Sequence, residues 1–293
     1  MKVAIYGQDL NEQSKSTLLI LAEFLKTKKS DVFIENSFFD SIQNMPNLNT
    51  NEYGFKPFLT LDNSYDLLIS VGGDGTILRA ITKIKDLGIP LIGINTGRLG
   101  FLSTIKTDEI KNALNQIYEG KYRVSKRTVL KLKTDFESSK LDLDFALNEI
   151  AVSRKNTTSM INIETWLDDE YLTSYWADGL IISTPTGSTG YSLSCGGPVI
   201  MPESDSLVLT PIAPHNLNAR PLVISSRHKI QLKLSGRENQ ILLSLDSRIS
   251  SIDKSVGIMI EIAPYHIKMI ELKGSSFIET LRKKLLWGVD KRN

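Results

Sequence analysis

The rhythm of apolar and polar positions changes about 120 residues into the chain. Before that point short apolar runs alternate with stretches of helical spacing. Val3 to Tyr6 reads as a buried strand and ends at Gly7. Leu18, Leu21, Ala22 and Leu25 fall at i, i+3, i+4 and i+7, which places them on one helix face. Asp31 to Glu35 reads as a second strand. Asn36 to Asn63, rich in Asn, Pro and Gly, reads as irregular surface structure. "YDLLISVGGDGT" is then a buried strand running into a glycine turn. Ile77, Ala80, Ile81 and Ile84 repeat the helical spacing, with Gly88 placed to end that helix. "PLIGINTG" is another strand and turn. Thr107 is the expected cap of a following helix with the apolar face Ile110, Ala113, Leu114 and Ile117. Alternating strands and helices predict a mainly parallel sheet covered by helices, an α/β domain over residues 1–122.

Beyond residue 122 the period becomes two. Leu130 and Leu132 alternate with lysines; Ile161 and Ile163 alternate with Asn162 and Glu164. Ile230, Leu232 and Leu234 do the same, as do Ile258, Ile260 and Ile262. Such alternation predicts strands with one buried face, and "DDE" at 168–170 is a hairpin turn. An all-β domain over 123–272 follows. Phe277, Leu281 and Leu285 predict a final helix returning to the first domain, which residues 273–293 would complete.

A length of 293 residues suits two domains. Basic residues number 35 and acidic ones 33, a balance that gives no reason to expect nucleic acid or an anionic membrane as partner. The lone Cys195 excludes an internal disulfide and fits a reducing compartment. No apolar run reaches the roughly 18 residues of a membrane span, and "MKVAIYG" lacks the features of a secretory leader. A cytoplasmic location is the expectation. The "NTT" sequon at Asn156 carries no meaning without secretion.

Chemistry concentrates first in "GGDGT", Gly72 to Thr76, between a strand and a helix. Glycines there let the backbone approach a ligand, and amides at a helix start can cradle phosphate. Asp74 cannot bind phosphate unaided, since like charges repel. It coordinates a metal, accepts a hydroxyl proton or binds a hydroxyl; the plainer reading is a helix cap. No Walker sequence and no GxGxxG occurs. The second concentration is "DGLIISTPTGSTGYSLSCGGPVI", Asp178 to Ile200, a strand followed by a loop dense in Gly, Ser and Thr around Tyr191. Such a loop suits a sugar–purine–phosphate ligand, with Tyr191 placed to stack on a base and Asp178 to accept hydrogen bonds. His215, His228 and His266 have no metal-ligand spacing, so no protein metal site is expected. Trp166 and Trp176 read as core or interface packing on strands.

"GGDGT" resembles a motif shared by NAD kinases and by diacylglycerol and sphingosine kinases, which implies phosphoryl transfer from a nucleotide without fixing the acceptor. The 178–200 segment resembles the NAD kinase signature almost residue for residue. "GINTGRLGFL", "LNEIAVSR" and "PIAPHNLNARPLV" resemble further blocks of that family, in its order, from about residue 70 to 225. The resemblance implies transfer of the γ-phosphate of ATP to the 2′-hydroxyl of the adenosine ribose of NAD. It implies Asp74 as the proton acceptor and NAD binding by Asp74, Gly75 and Arg79, with Arg79 where some members place a phosphate-binding arginine. It further implies NAD binding by Asn148, Glu149, Asp178, Thr189, Gly190, Tyr191, Ser192, Leu193, Ser194 and Ala213, with His215 beside them. Mg2+ would arrive with ATP, and the assembly would be a homodimer or homotetramer.

Three positions depart from the family pattern. Gly190 stands where Ala is frequent, as does Cys195, and "DSR" at Asp246, Ser247 and Arg248 replaces the common "DGQ". The last departure predicts an altered late contact to the dinucleotide or its phosphates. Two alternatives stay open on the residues alone: a lipid kinase of the diacylglycerol class, which shares "GGDGT", and a non-catalytic NAD-binding sensor.

Overall fold

The structure, a computed structural model, describes residues 1–8, 10–43, 45, 48–135, 143–156 and 159–287. It divides into two compact units, Met1–Lys126 with Ile267–Asn293, and Arg127–His266. Part of the final segment expected to complete the first domain, 288–293, lies outside the described residues, as do two residues of the 156–158 sequon.

In the first unit β1 (Lys2–Gly7), α1 (Glu12–Thr27), β2 (Asp31–Glu35), α2 (Asn36–Ile42) and β3 (Lys56–Phe58) come first. They are followed by β4 (Leu67–Val71), α3 (Asp74–Ile84), β5 (Leu91–Ile94), α4 (Ile110–Tyr118) and β6 (Tyr122–Arg127). The second unit contains β7 (Leu130–Thr134), β8 (Phe145–Ala146), β9 (Glu149–Arg154), β10 (Ile161–Leu167), β11 (Glu170–Ala177) and β12 (Gly179–Ser183). It goes on with α5 (Tyr191–Ser194), β13 (Ser206–Ile212), β14 (Leu222–Ser225), β15 (Ile230–Ser235), β16 (Gln240–Leu245), β17 (Arg248–Asp253) and β18 (Ile258–Ile262). The chain returns to the first unit with β19 (Ile267–Leu272) and α6 (Phe277–Leu285).

The first unit is built on one sheet in the order β3-β2-β1-β4-β5-β19-β6. The pairs from β3 to β19 are parallel. Every residue of β4 and β5 is buried, as expected of strands covered on both faces. The helix faces read from the sequence are the buried ones: Leu18, Leu21, Ala22 and Leu25 of α1, Ile77, Ala80, Ile81 and Ile84 of α3, and Ile110, Ala113, Leu114 and Ile117 of α4.

The structure corrects several local expectations. The 36–63 stretch contains a helix and a strand. The Glu35 carboxylate accepts from the Ser37 and Phe38 amides at 2.9 and 3.2 Å, capping α2, which buries Phe38, Phe39 and Ile42. Thr107 lies inside a 3-10 turn, Thr107–Glu109, instead of capping α4. Residues 123–126 and 267–272, expected in the all-β domain, belong to the first unit because β6 and β19 are strands of its sheet.

The second unit holds two antiparallel sheets, ordered β11-β10-β15-β18-β7-β8 and β14-β13-β12-β9-β16-β17. Their alternating apolar residues make one shared core, with Leu132, Ile163 and Leu232 from one sheet and Val152, Ile182 and Leu243 from the other, the pattern of a β-sandwich. Ile262 does not join it and is exposed. Asp168 and Asp169 both have left-handed φ, and Leu167 pairs with Glu170, so "DDE" is a two-residue hairpin turn. Trp166 packs edge-on to Tyr171 under Lys233. Trp176 is not a core residue; it is 55% exposed and lies against the His215 ring.

Candidate functional site

In the first unit β1 and β4 are neighbours, but the chain leaves them in opposite directions across the sheet, β1 towards β2 and β4 towards β5. Ligands of open α/β sheets sit at the carboxyl ends of strands at such a switch point. "GGDGT" is there. Gly72 has φ +152°, and a Cβ on it would fall 2.2 Å from Thr76 Oγ1, so the turn requires glycine. Gly73 and Gly75 are exposed, and a Cβ on either meets nothing within 4 Å. Open backbone at the start of α3 is suited to an incoming phosphate.

Asp74 does not cap α3. Its carboxylate reaches the loop after β5 and accepts from the amides of Phe101 (2.8 Å, on Oδ2), Leu102 (3.0 Å, on Oδ1) and Ser103 (2.9 Å, on Oδ1). A Cβ on Gly100 would lie 1.9 Å from Asp74 Oδ1, so glycine makes room for the carboxylate. Asn95 shapes the same loop, donating to the Arg98 and Ser103 carbonyls and accepting from the Gly97 amide. The Ser103 hydroxyl donates to the Gly72 carbonyl at 2.9 Å, tying the loop to the glycine turn. Helix α6 packs on it too: Phe277 meets Phe101, and Lys284 Nζ donates to the Leu99 carbonyl at 2.6 Å. Arg79 is exposed, and its guanidinium lies beside the Gln8 side-chain amide.

In the second unit Asn148 and Glu149 sit where the chain steps from β8 to β9. Asn148 Oδ1 and Glu149 Oε2 are both buried and have no hydrogen-bond partner. Orphaned buried acceptors are costly, and a ligand or water that carries donors would satisfy them. Burial first, then the neighbouring Asp246 charge, pushes the Glu149 carboxyl up to about 8, against the pull of the Tyr191 amide. At neutral pH Glu149 is therefore largely protonated and offers a donor as well as an acceptor.

The 184–197 loop closes over this pair. It forms a 3-10 turn, Thr186–Thr189, and then α5. A Cβ on Gly190 would lie 3.2 Å from Glu149 Oε2 and 3.6 Å from Asn148 Nδ2. Tyr191 is 46% exposed and electrostatically close to both Glu149 and Asp178. Asp178 Oδ2 is paired with Arg154 at 2.8 Å, and the Asp178 amide donates to the Ile212 carbonyl, next to Ala213. Not all of the expected binding residues present side chains. Ser192 is fully buried, with its hydroxyl bonded to Thr210 Oγ1 at 2.8 Å, and Thr189 Oγ1 donates to the Thr186 carbonyl. Leu193 is half-buried, while Ser194 and Ala213 are exposed. Burial raises the Cys195 thiol, the opposite of an activated nucleophile.

The domain profile described as ATP-NAD kinase N-terminal domain matches residues 3–122, and the ATP-NAD kinase C-terminal domain profile matches 147–272. Curated relatives named NAD kinase include those of Christiangramia forsetii, 55% identical, and Flavobacterium psychrophilum, 52% identical, each with all of both chains covered. The chain belongs to the NAD kinase family. The NAD kinase fold is also that of an Archaeoglobus fulgidus NAD kinase solved in complex with ATP, at TM-score 0.76 and 26% identity over 98% of this chain and 99% of that one. Yeast NADH kinase complexed with NADH has the same fold at TM-score 0.86, with 23% identity over 99% of this chain and 88% of that one.

Sequence reasoning missed what this NAD kinase family member does with Arg154, Asn95 and Asp246. Arg154 neutralises Asp178, Asn95 shapes the loop that surrounds Asp74, and Asp246 accepts from the amides of Leu147, Asn148 and Glu149. Among the described residues no three His, Cys, Asp or Glu side chains gather to hold a metal ion, and no helix is long and apolar enough to cross a membrane.

Proposed function

We infer that this chain transfers the γ-phosphoryl group of ATP to the 2′-hydroxyl of the adenosine ribose of NAD, giving NADP and ADP. Family membership supports the reaction. The observation that carries the acceptor is the pair of unsatisfied buried acceptors, Asn148 Oδ1 and Glu149 Oε2, beside Tyr191. A nucleoside has what they lack: hydroxyl and amino donors next to a flat ring that a tyrosine can stack on.

In this reading Asn148, Glu149 and Asp178 hold the dinucleotide and Tyr191 covers a base. Asp74 takes the proton. A carboxylate has about four acceptor sites; two amides occupy Oδ1 and one occupies Oδ2, so Oδ2 keeps room for a hydroxyl. As the 2′-oxygen bonds to the γ-phosphorus, the bond from phosphorus to the β–γ bridging oxygen breaks. The hydroxyl proton passes to Asp74 and the electron pair leaves with ADP. The open backbone at Gly73 and Gly75 stabilises phosphate charge, and Arg79 adds to it. Mg2+ belongs to this reading as part of the Mg–ATP substrate, where it neutralises phosphate charge. Assembly as a homodimer or homotetramer and a cytoplasmic setting belong to it as well.

The test is NADP formation from NAD and Mg–ATP by the purified full chain. Binding of NAD with no NADP formed favours the sensor alternative and overturns the reading. Phosphorylation of diacylglycerol in place of NAD overturns it in favour of the lipid kinase.

A further inference from the structure

Between β8 and β9 the chain leaves the sheet ladder at Leu147 and Asn148, at the point where it presents Asn148 and Glu149. Backbone amides that leave a ladder in a buried region need other acceptors. They find one side chain, about 100 residues away. Asp246 Oδ1 accepts from the Asn148 amide at 2.8 Å and the Glu149 amide at 3.3 Å, and Oδ2 accepts from the Leu147 amide at 3.1 Å. The Asp246 amide donates in return to the Glu149 carbonyl at 2.9 Å. Carbonyls of the same segment are pinned from the other side: Thr184 Oγ1 donates to Leu147 and the Thr184 amide to Asn148. Asp246 is 8% exposed, and its φ of +54° turns the β16–β17 hairpin, a conformation that aspartate tolerates better than most residues.

The "DSR" departure is explained by the same geometry. Ser247 does not have left-handed φ, so glycine is not needed there. Arg248 is not presented as a phosphate ligand. Its Nη2 donates to the Phe145 carbonyl, its guanidinium lies over the Phe145 ring, and it stands 3.8 Å from Asp246 Oδ2. The arginine is spent inside the unit as a partner for the buried aspartate.

We propose that Asp246, with Arg248 as its partner, is a positioning residue that sets Asn148 and Glu149 for the dinucleotide through the backbone amides of residues 147–149. The proposal rests on the functional reading above. Asp246 also acts on Glu149 by charge, because a second buried carboxylate beside Glu149 favours its protonated form. The other groups facing this cluster are Tyr191, with Asp178 and Cys195 behind it, and Tyr265 and Asp144 beside Arg248.

The variant Asp246→Asn keeps the shape, removes the charge and turns an amino group towards backbone donors. The KM for NAD should rise about tenfold or more, as expected when hydrogen bonds to a charged acceptor are lost. kcat should change far less. The pH at which KM(NAD) changes should move down, since Glu149 loses a like-charged neighbour. A merely structural role would not move that profile. Hydrogen exchange of the peptide spanning 145–150 should quicken about tenfold or more in the variant, a readout that needs no activity. Arg248→Met keeps an unbranched apolar side chain and removes the guanidinium, with both its contacts to Phe145 and its approach to Asp246; a smaller rise in KM(NAD) with the same quickened exchange is expected, which keeps the test open where Asp246→Asn does not fold. Variants with unchanged KM(NAD), pH profile and exchange overturn the proposal. A wild-type chain that makes no NADP overturns the functional reading instead, while exchange still decides the role of Asp246.

Discussion

Replacing Asp74 by Asn removes a negative charge and one acceptor oxygen while keeping the side chain's size. An asparagine carbonyl placed at the Oδ1 position can still serve the Leu102 and Ser103 amides. Its amino group then points at the Phe101 amide, which donated to Oδ2 at 2.8 Å. An unsatisfied or opposed donor costs about 1–3 kcal/mol, so the melting temperature should fall measurably while the sheet beneath stays folded. The catalytic loss should be larger, because the atom removed, Oδ2, is the one with acceptor capacity left for the hydroxyl proton. Loss of a general base lowers turnover by about two to four powers of ten. NADP formation, followed with an NADP-specific dehydrogenase, gives kcat, and calorimetry gives NAD affinity, which should stay near wild type. A kcat within about tenfold of wild type refutes Asp74 as the base. Gly100→Ala separates chemistry from placement. It leaves the carboxylate intact but sets a Cβ 1.9 Å from Oδ1, so the carboxylate or the loop must move. Turnover should collapse in this variant too, and full activity would show that the cradle is dispensable.

Two further outcomes follow from the second unit. Gly190→Ala puts a Cβ 3.2 Å from Glu149 Oε2 and from the Gly187 carbonyl, so KM for NAD should shift several-fold while urea unfolding changes by less than about 1 kcal/mol; an unaltered KM would mean that Glu149 has slack. Glu149 titrates near 8 in the folded chain against an ordinary 4.5, so the folded state holds its proton more tightly and the contribution of Glu149 to stability falls as pH rises from 4.5 to about 8, then levels off. Glu149→Gln removes that titration. Urea unfolding at acidic and at mildly alkaline pH should show a shallower loss of stability in the variant, and an identical slope in both proteins would contradict the buried, protonated carboxyl.

Local pattern reached as far as local physics does. The 3.6 and 2 periods picked out the buried faces of α1, α3 and α4 and the inward residues of β7, β10 and β15, because burial of one face is written into residue spacing. Helix α2 escaped because its seven residues are too few for a period to declare itself, and its start depends on a glutamate that ends a strand. The strands β6 and β19 fell almost wholly inside the stretch expected to be all-β, and no period states which sheet a strand will join. The candidate site divides along the same line. "GGDGT" and the 178–200 loop were visible because their glycines and hydroxyls are consecutive. The work of Asp74 is done on amides 27–29 residues away, and that of Asp246 on amides 97–99 residues away. A backbone amide is the same group at every non-proline position, so an acid chosen to bind one leaves no matching residue type at the other end of the contact. That is why "DSR" read from sequence as a changed ligand contact, whereas its arginine is turned towards Phe145 and its aspartate towards the β8–β9 step that carries Asn148 and Glu149. Charged residues whose partners are main-chain groups are therefore where a reading by motif is most exposed to error, and where substitution of the acid by its amide is the most informative test.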